Sequence, residues 1–200
     1  MTAVFSTAYL PPIAWVATLL KHAELLIEAK ETFPKQTYRN RTEIMTAGGV
    51  RTLTVPVLRE NHSRTEEVGI DYKERWNIIH LRTLAAAYSA SPYYLYYKND
   101  MEALLMPHYE RLMDLNEALL NWVLRLLKAD CHPKRTEEFQ KEYAFDYRNT
   151  FSPKSPYPTE GMKPYYQVFS DRIPFTPNLS IIDLLMNLGP EAKDYLNQIT

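Results

Sequence analysis

The chain has 200 residues, enough for one domain with a real core, and its 23 basic and 24 acidic side chains leave a formal charge of −1. That balance excludes a duplex nucleic-acid binder, whose affinity rests on a basic surplus. A single cysteine, Cys131, excludes an internal disulfide framework and a cysteine-based zinc cluster, and it fits a reducing compartment, the cytoplasm by default.

Residues 1–20, MTAVFSTAYLPPIAWVATLL, carry no charge, but they lack the basic flank and cleavage pattern of a targeting segment. Pro11 and Pro12 would also break an apolar helix near its middle, so no stable membrane insertion is expected. The segment reads instead as a strand from Ala3 to Tyr9, a turn, and a helix from Ile13 to Leu20, with Pro12 suited to the first helical turn. The next apolar run, AELLIEAKE, follows a short helix and precedes a Phe-Pro turn, so it reads as a second strand and gives a β-α-β opening.

Residues 38–45 and 50–57 are rich in Thr, Val, Ile and Tyr and flank TAGG, which predicts a hairpin. An even-length loop pairs odd positions with even ones. Arg39, Arg41 and Glu43 then share one face with Thr52, Thr54 and Pro56, while Ile44, Leu53, Val55 and Val57 share the core face. The two arginines either coat a solvated sheet face or, roughly 7 Å apart at the strand rise, chelate a phosphate or carboxylate.

Beyond the hairpin the chain turns helical. In IDYKERWNIIHLRTLAAAYSASP, Asp71 is the expected N-cap and Pro92 the stop, and His80 lies on or beside the apolar stripe formed with Trp76 and Leu84. A histidine there is either a satisfied core residue or a general base, since it alone titrates near neutrality unaided. Tyr93, Tyr94, Tyr96 and Tyr97 cannot share one helix face, so some line a second surface, as a sugar-stacking wall or a core wrap. Leu112, Leu115, Leu119, Trp122, Val123 and Leu126 mark a packing helix. Residues 132–177 hold seven of the fourteen prolines and several tyrosines, as expected of a stiffened loop that covers a site. In NLSIIDLLMNLGPEAKDYLNQ, Ser180 and Asp183 read as N-terminal caps, Gly189 as a C-cap and Pro190 as the start of a last helix; Asn178 stands where a helix N-terminus offers N–H groups to an anion.

No P-loop, dinucleotide, hydrolase-elbow or zincin motif occurs, and no cofactor or metal set is implied; Asp183 and Glu43 are oxygen ligands without a demanding spacing. The opening β-α-β is similar in architecture to nucleotidyltransferases but lacks their paired histidines.

YLPPIAWVATLLKHAEL, KQTYRNRTEI, LTVPV, SPYYLYY, YYQVF and NLSIIDLLMNLGPEA occur in an order and spacing that resemble the WbqC-like protein family over nearly the whole chain. The resemblance implies a cytoplasmic bacterial protein whose relatives sit in gene clusters for surface-polysaccharide (O-antigen) synthesis, with an aminoacyl (glycine) transferase role suggested. The positions it carries over are Tyr9, Asn40, Arg41, His80, Tyr88, Gln167, Asn178, Ser180 and Asp183, which are expected to converge on one pocket. STAY replaces the family's Gln-Pro before the first tyrosine, and the stretch between Cys131 and Tyr165 lacks a sheet-forming segment of longer relatives.

The expected architecture is a single α/β domain with a β-α-β opening, a hairpin in a mixed sheet and several packing helices. The expected function is a transferase acting on an anionic small-molecule or nucleotide-sugar substrate, with Arg39 and Arg41 on the anion, His80 as base, and Gln167 or Asn178 orienting the acceptor. The alternative is a non-catalytic binding protein of the same pathway.

Overall fold

The computed structural model of the chain describes residues 1–154, 157–159 and 161–199. Its centre is a four-stranded sheet built of β1 (Ala3–Ser6), β2 (Leu25–Glu28), β7 (Lys134–Arg135) and β8 (Phe145–Tyr147), ordered β7-β2-β1-β8 with every pair parallel. Helix α1 (Ile13–Leu19) makes the crossover from β1 to β2, so the β-α-β opening stands. All of β1 and α1 is buried, which is why their sequence reads as one uninterrupted apolar run rather than an alternating one.

β3 (Arg41–Thr46) and β4 (Gly49–Thr54) form an antiparallel ribbon of their own, separate from the parallel sheet. Arg41 pairs with Thr54 and Glu43 with Thr52, the register that the even-length loop predicts. A second small ribbon joins β5 (Val57–Leu58) to β6 (Gly69–Ile70). Helix α2 (Trp76–Tyr88) starts five residues later than its expected cap, because the Asp71 carboxylate accepts from Lys73 N at 2.9 Å and closes a local turn. Helices α3 (Tyr94–Leu105) and α4 (Leu112–Leu126) follow, and α4 buries the leucine and tryptophan stripe read from its spacing. The chain ends in α5 (Ile181–Leu188) and α6 (Ala192–Asn197), joined through Gly189 at φ 54°. No helix among the described residues is long and apolar enough to cross a membrane.

The proline-rich stretch is partly regular. It supplies β7 and β8, and it brings Arg148 to a cluster of buried charge beneath the ends of the strands. Arg148 donates to Glu28 Oε2 at 3.0 Å and to the carbonyls of Gln140 and Lys141, and it also pairs with Asp146. Glu28 has no exposed surface and Arg148 only 6% of its side chain, so this pair is buried and fully hydrogen-bonded, the condition under which buried charges are tolerated.

Candidate functional site

In an open parallel sheet, ligands settle outside the carboxyl ends of the strands, at the point where chain order reverses. Here β2 and β7 lie on one side of β1 and β8 lies on the other, so the reversal falls between β1 and β8. A crevice of about 340 Å³ opens there. Pro12 reaches it from the loop after β1, Phe151 to Pro153 from the segment after β8, Tyr38 and Glu43 from the start of the hairpin, and Thr176 to Asn178 from the approach to α5; Tyr157 and Thr159 complete the wall.

The loop that places these groups, Thr7 to Pro12, is wholly buried. Leu10 adopts φ 45°, a left-handed conformation that costs a γ-branched residue about 1–2 kcal/mol. It is held by its own carbonyl, which accepts from Thr42 Oγ1 at 2.7 Å and from Ser180 Oγ at 3.0 Å. The terminal segment then caps α1: Leu179 O accepts from Ile13 N at 3.0 Å and Asn178 Oδ1 from Ala14 N at 2.8 Å. On the hairpin side, Glu43 O accepts from Ser180 N at 2.8 Å, which sets Glu43 and Asn178 on neighbouring segments of the crevice wall. Tyr38 OH donates to Glu43 Oε2 at 3.2 Å; burial, and then the nearby Glu43 carboxylate, raise the Tyr38 phenol well above its ordinary range.

The residues expected to converge divide into several groups. Asn178 lines the crevice. It does so from the N-terminus of α1, not as part of an anion site at α5, because the first N–H groups of α5 are taken: Ile181 N by Pro11 O, Ile182 N by Ser180 Oγ and Asp183 N by Ser180 O. Ser180 is the cap that its position predicts. Asp183 is not a cap. Its carboxylate is fully buried and accepts from Tyr88 OH at 3.0 Å, Tyr165 OH at 2.6 Å and Gln167 Nε2 at 2.9 Å, so Tyr88, Gln167 and Asp183 form one internal network. Burial raises the Asp183 carboxyl above its ordinary value, opposed by these three donors.

Tyr9 and His80 make a second buried pair, with Tyr9 OH and His80 Nδ1 2.9 Å apart. Burial lowers the His80 imidazole from 6.5 to about 4, opposed by a hydrogen bond to the Thr54 main chain and assisted by the charge of Arg51. A neutral ring accepts from Tyr9 at Nδ1, and His80 is not among the residues that line the crevice. Asn40 is also internal, its Nδ2 donating to Val55 O at 2.9 Å.

The two arginines do not share a sheet face. β3 begins at Arg41, so the alternation counted from residue 38 does not reach Arg39, which is 2% exposed. Arg39 Nε donates to Glu31 Oε1 at 2.8 Å and its Nη2 to Arg148 O at 3.2 Å. Arg41 is half-buried beside Tyr38 and Glu43, and its enclosed Nε finds no hydrogen-bond partner among the described residues. Tyr38, Glu43, Phe151 and Tyr157 are among the crevice residues that sequence reasoning did not place at a substrate site. The signal for Glu43 was present, a lone acid on the polar face of the hairpin; Phe151 and Tyr157 reach the crevice only through the β8 pairing.

No group of three or more acidic, histidine or cysteine side chains suited to a metal occurs among the described residues. The sequence matches the WbqC-like protein family over residues 7–149 and 152–195. It is similar to the uncharacterized protein Rv1507c of Mycobacterium tuberculosis, at 27% identity over 232 aligned positions covering 97% of this chain and 96% of that one. No solved structure matches. With the family match running from the loop after β1 through the hairpin and into α6, the chain belongs to the WbqC-like protein family.

Proposed function

We propose that the chain is a transferase that places an acyl, aminoacyl or related group on a sugar in surface-polysaccharide assembly, and that the crevice between β1 and β8 is where it works. The observation that carries this reading is a carboxylate and an amide, Glu43 and Asn178, facing one concavity at the reversal point of a parallel sheet. In the proposed reaction an acceptor hydroxyl or amine gives its proton to Glu43 and attacks the acyl carbon of an activated donor. The new C–O or C–N bond forms as the bond from acyl carbon to leaving group breaks. Arg41, whose enclosed Nε has no hydrogen-bond partner among the described residues, is assigned to the anionic part of the donor. Tyr9 and His80 are positioning residues that brace the β1 loop from below.

The test is carried out in cells that make the glycan. With Glu43→Gln or Arg41→Ala, mass spectrometry of the surface polysaccharide is expected to show the substituent lost, by about 100-fold or more for Glu43→Gln, while the purified variants keep their melting temperature. Retention of the substituent in both variants overturns the reading. A non-catalytic glycan-binding role is the second reading. It is favoured by the engagement of His80, the one side chain of the set that ordinarily titrates near neutrality.

A further inference from the structure

We infer that the crevice recognises an uncharged vicinal diol, with Glu43 accepting from its hydroxyls, Asn178 Nδ2 donating to one of them, and the face of Tyr157 carrying the ring that bears them. The inference rests on the crevice being the substrate site, and it names the part of the substrate held there.

Charge decides against a phosphate or carboxylate at this point. Among the described residues, the lining comprises Glu43, Asn178, hydroxyl-bearing side chains, prolines and two stacked aromatic rings, with no lysine, arginine or histidine. An anion there would meet the Glu43 carboxylate, and no basic side chain of the lining offsets that repulsion. Arg41, two positions before Glu43 on the same strand, stands outside the lining, so the anionic part of a donor is directed beyond the crevice wall.

The polar groups have a fixed sense. Asn178 Oδ1 is committed to Ala14 N at 2.8 Å, which orients the amide and leaves Nδ2 without a hydrogen-bond partner among the described residues. Its main chain is at φ 56°, in the left-handed region that asparagine tolerates better than other side chains. Glu43 receives Tyr38 on Oε2, which leaves Oε1 as an acceptor. A donor and an acceptor in one lining, on segments joined by the bond from Ser180 N to Glu43 O, match adjacent hydroxyls, each of which both donates and accepts. Tyr157 is stacked on the buried Phe151 at 5.0 Å with 29° between the ring planes, so the wall is set before a ligand arrives. A volume of about 340 Å³ accommodates a single sugar ring.

The experiment uses the full-length protein and saturation-transfer NMR with calorimetry. Methyl pyranosides, their analogues lacking one hydroxyl of the diol, and inorganic phosphate are the probes. At least one pyranoside is expected to bind with transfer from tyrosine protons. Loss of one hydroxyl is expected to weaken binding about tenfold, the size of one hydrogen bond to a charged group. Glu43→Gln and Asn178→Asp preserve side-chain shape, and the aspartate keeps the cap on Ala14; each is expected to weaken the pyranoside at least as much with the fold intact by circular dichroism. Tighter binding of phosphate than of every pyranoside, equal affinity for the deoxy analogues, or unchanged affinity in Asn178→Asp overturns the inference. Binding of the diol while the cellular glycan keeps its substituent in Glu43→Gln and Arg41→Ala defeats the transferase and leaves this inference standing. A lost substituent without any dependence on the diol does the reverse.

Discussion

Two buried titratable groups respond to pH in opposite senses. The folded protein holds His80 at about 4, whereas an unfolded chain takes up that proton near 6.5. Between these values the unfolded state binds more protons, so the stability tied to His80 is fully present above the upper value and is lost as pH falls through the window. Proton NMR should show a His80 ring titrating near 4, and His80→Gln should flatten the dependence of the urea midpoint on pH between the two values; a ring that titrates near 6.5 contradicts the buried pairing with Tyr9. For Asp183 the shift is upward from 3.8, so the folded state holds the proton more tightly and stability falls as pH rises above that value toward the folded pKa. Asp183→Asn should remove this decline. Asp183→Ala leaves Tyr88, Tyr165 and Gln167 without their acceptor, and a loss of about 3 kcal/mol or more in denaturant unfolding is expected from donors worth about 1–3 kcal/mol each. None of this could be read from the sequence around Asp183, where spacing alone makes it an N-terminal cap. The three donors come from other parts of the chain, Tyr88 from the end of α2 and Tyr165 and Gln167 from the irregular segment before α5, and only the folded structure brings them to one carboxylate.

The elements were more legible than the side chains they carry. Periodicity in α4, the register of the β3–β4 ribbon and the Ser180 cap all follow from local rules, because each depends on residues within a few positions of one another. Gly189 is another such case, with a second reason added by packing. Its φ of 54° suits glycine, and a Cβ built there would lie 2.5 Å from Tyr93 Cδ1, so the turn between α5 and α6 is pressed against the start of α3. Gly189→Ala should therefore cost more than the roughly 1–3 kcal/mol expected of this positive-φ, negative-ψ backbone alone. Adding Tyr93→Ala should recover only the steric part, which thermal melts of the single and double variants will separate. The pair of arginines depends on where β3 begins. With β3 beginning at Arg41, Arg39 falls in an irregular approach and turns to Glu31, and the proposed pair of guanidiniums on one face is never formed.

At the scale of the molecule, the sheet is closed by partners far apart in sequence. Glu28 at the end of β2 and Arg148 just after β8 are buried together, and no spacing rule links positions that distant. Arg148→Ala should destabilise by about 3–5 kcal/mol, because it leaves Glu28 charged and unpaired, whereas replacing both residues with apolar ones should cost clearly less. Denaturant unfolding of the two singles and the double decides this, and simple additivity would show that the pair is not coupled. The α/β class was legible because β1, α1 and β2 are consecutive, and the crevice was not, because β8 completes it from the other side of β1. The Leu10 carbonyl carries this non-locality furthest. It receives Thr42 from the hairpin and Ser180 from the final segment, while Asn178 and Leu179 cap the first helix. The opening β-α-β unit should therefore settle only once residues 178–180 are present to bond it. Fragments that stop short of residue 178 retain every strand yet should remain loosely ordered and open to proteases.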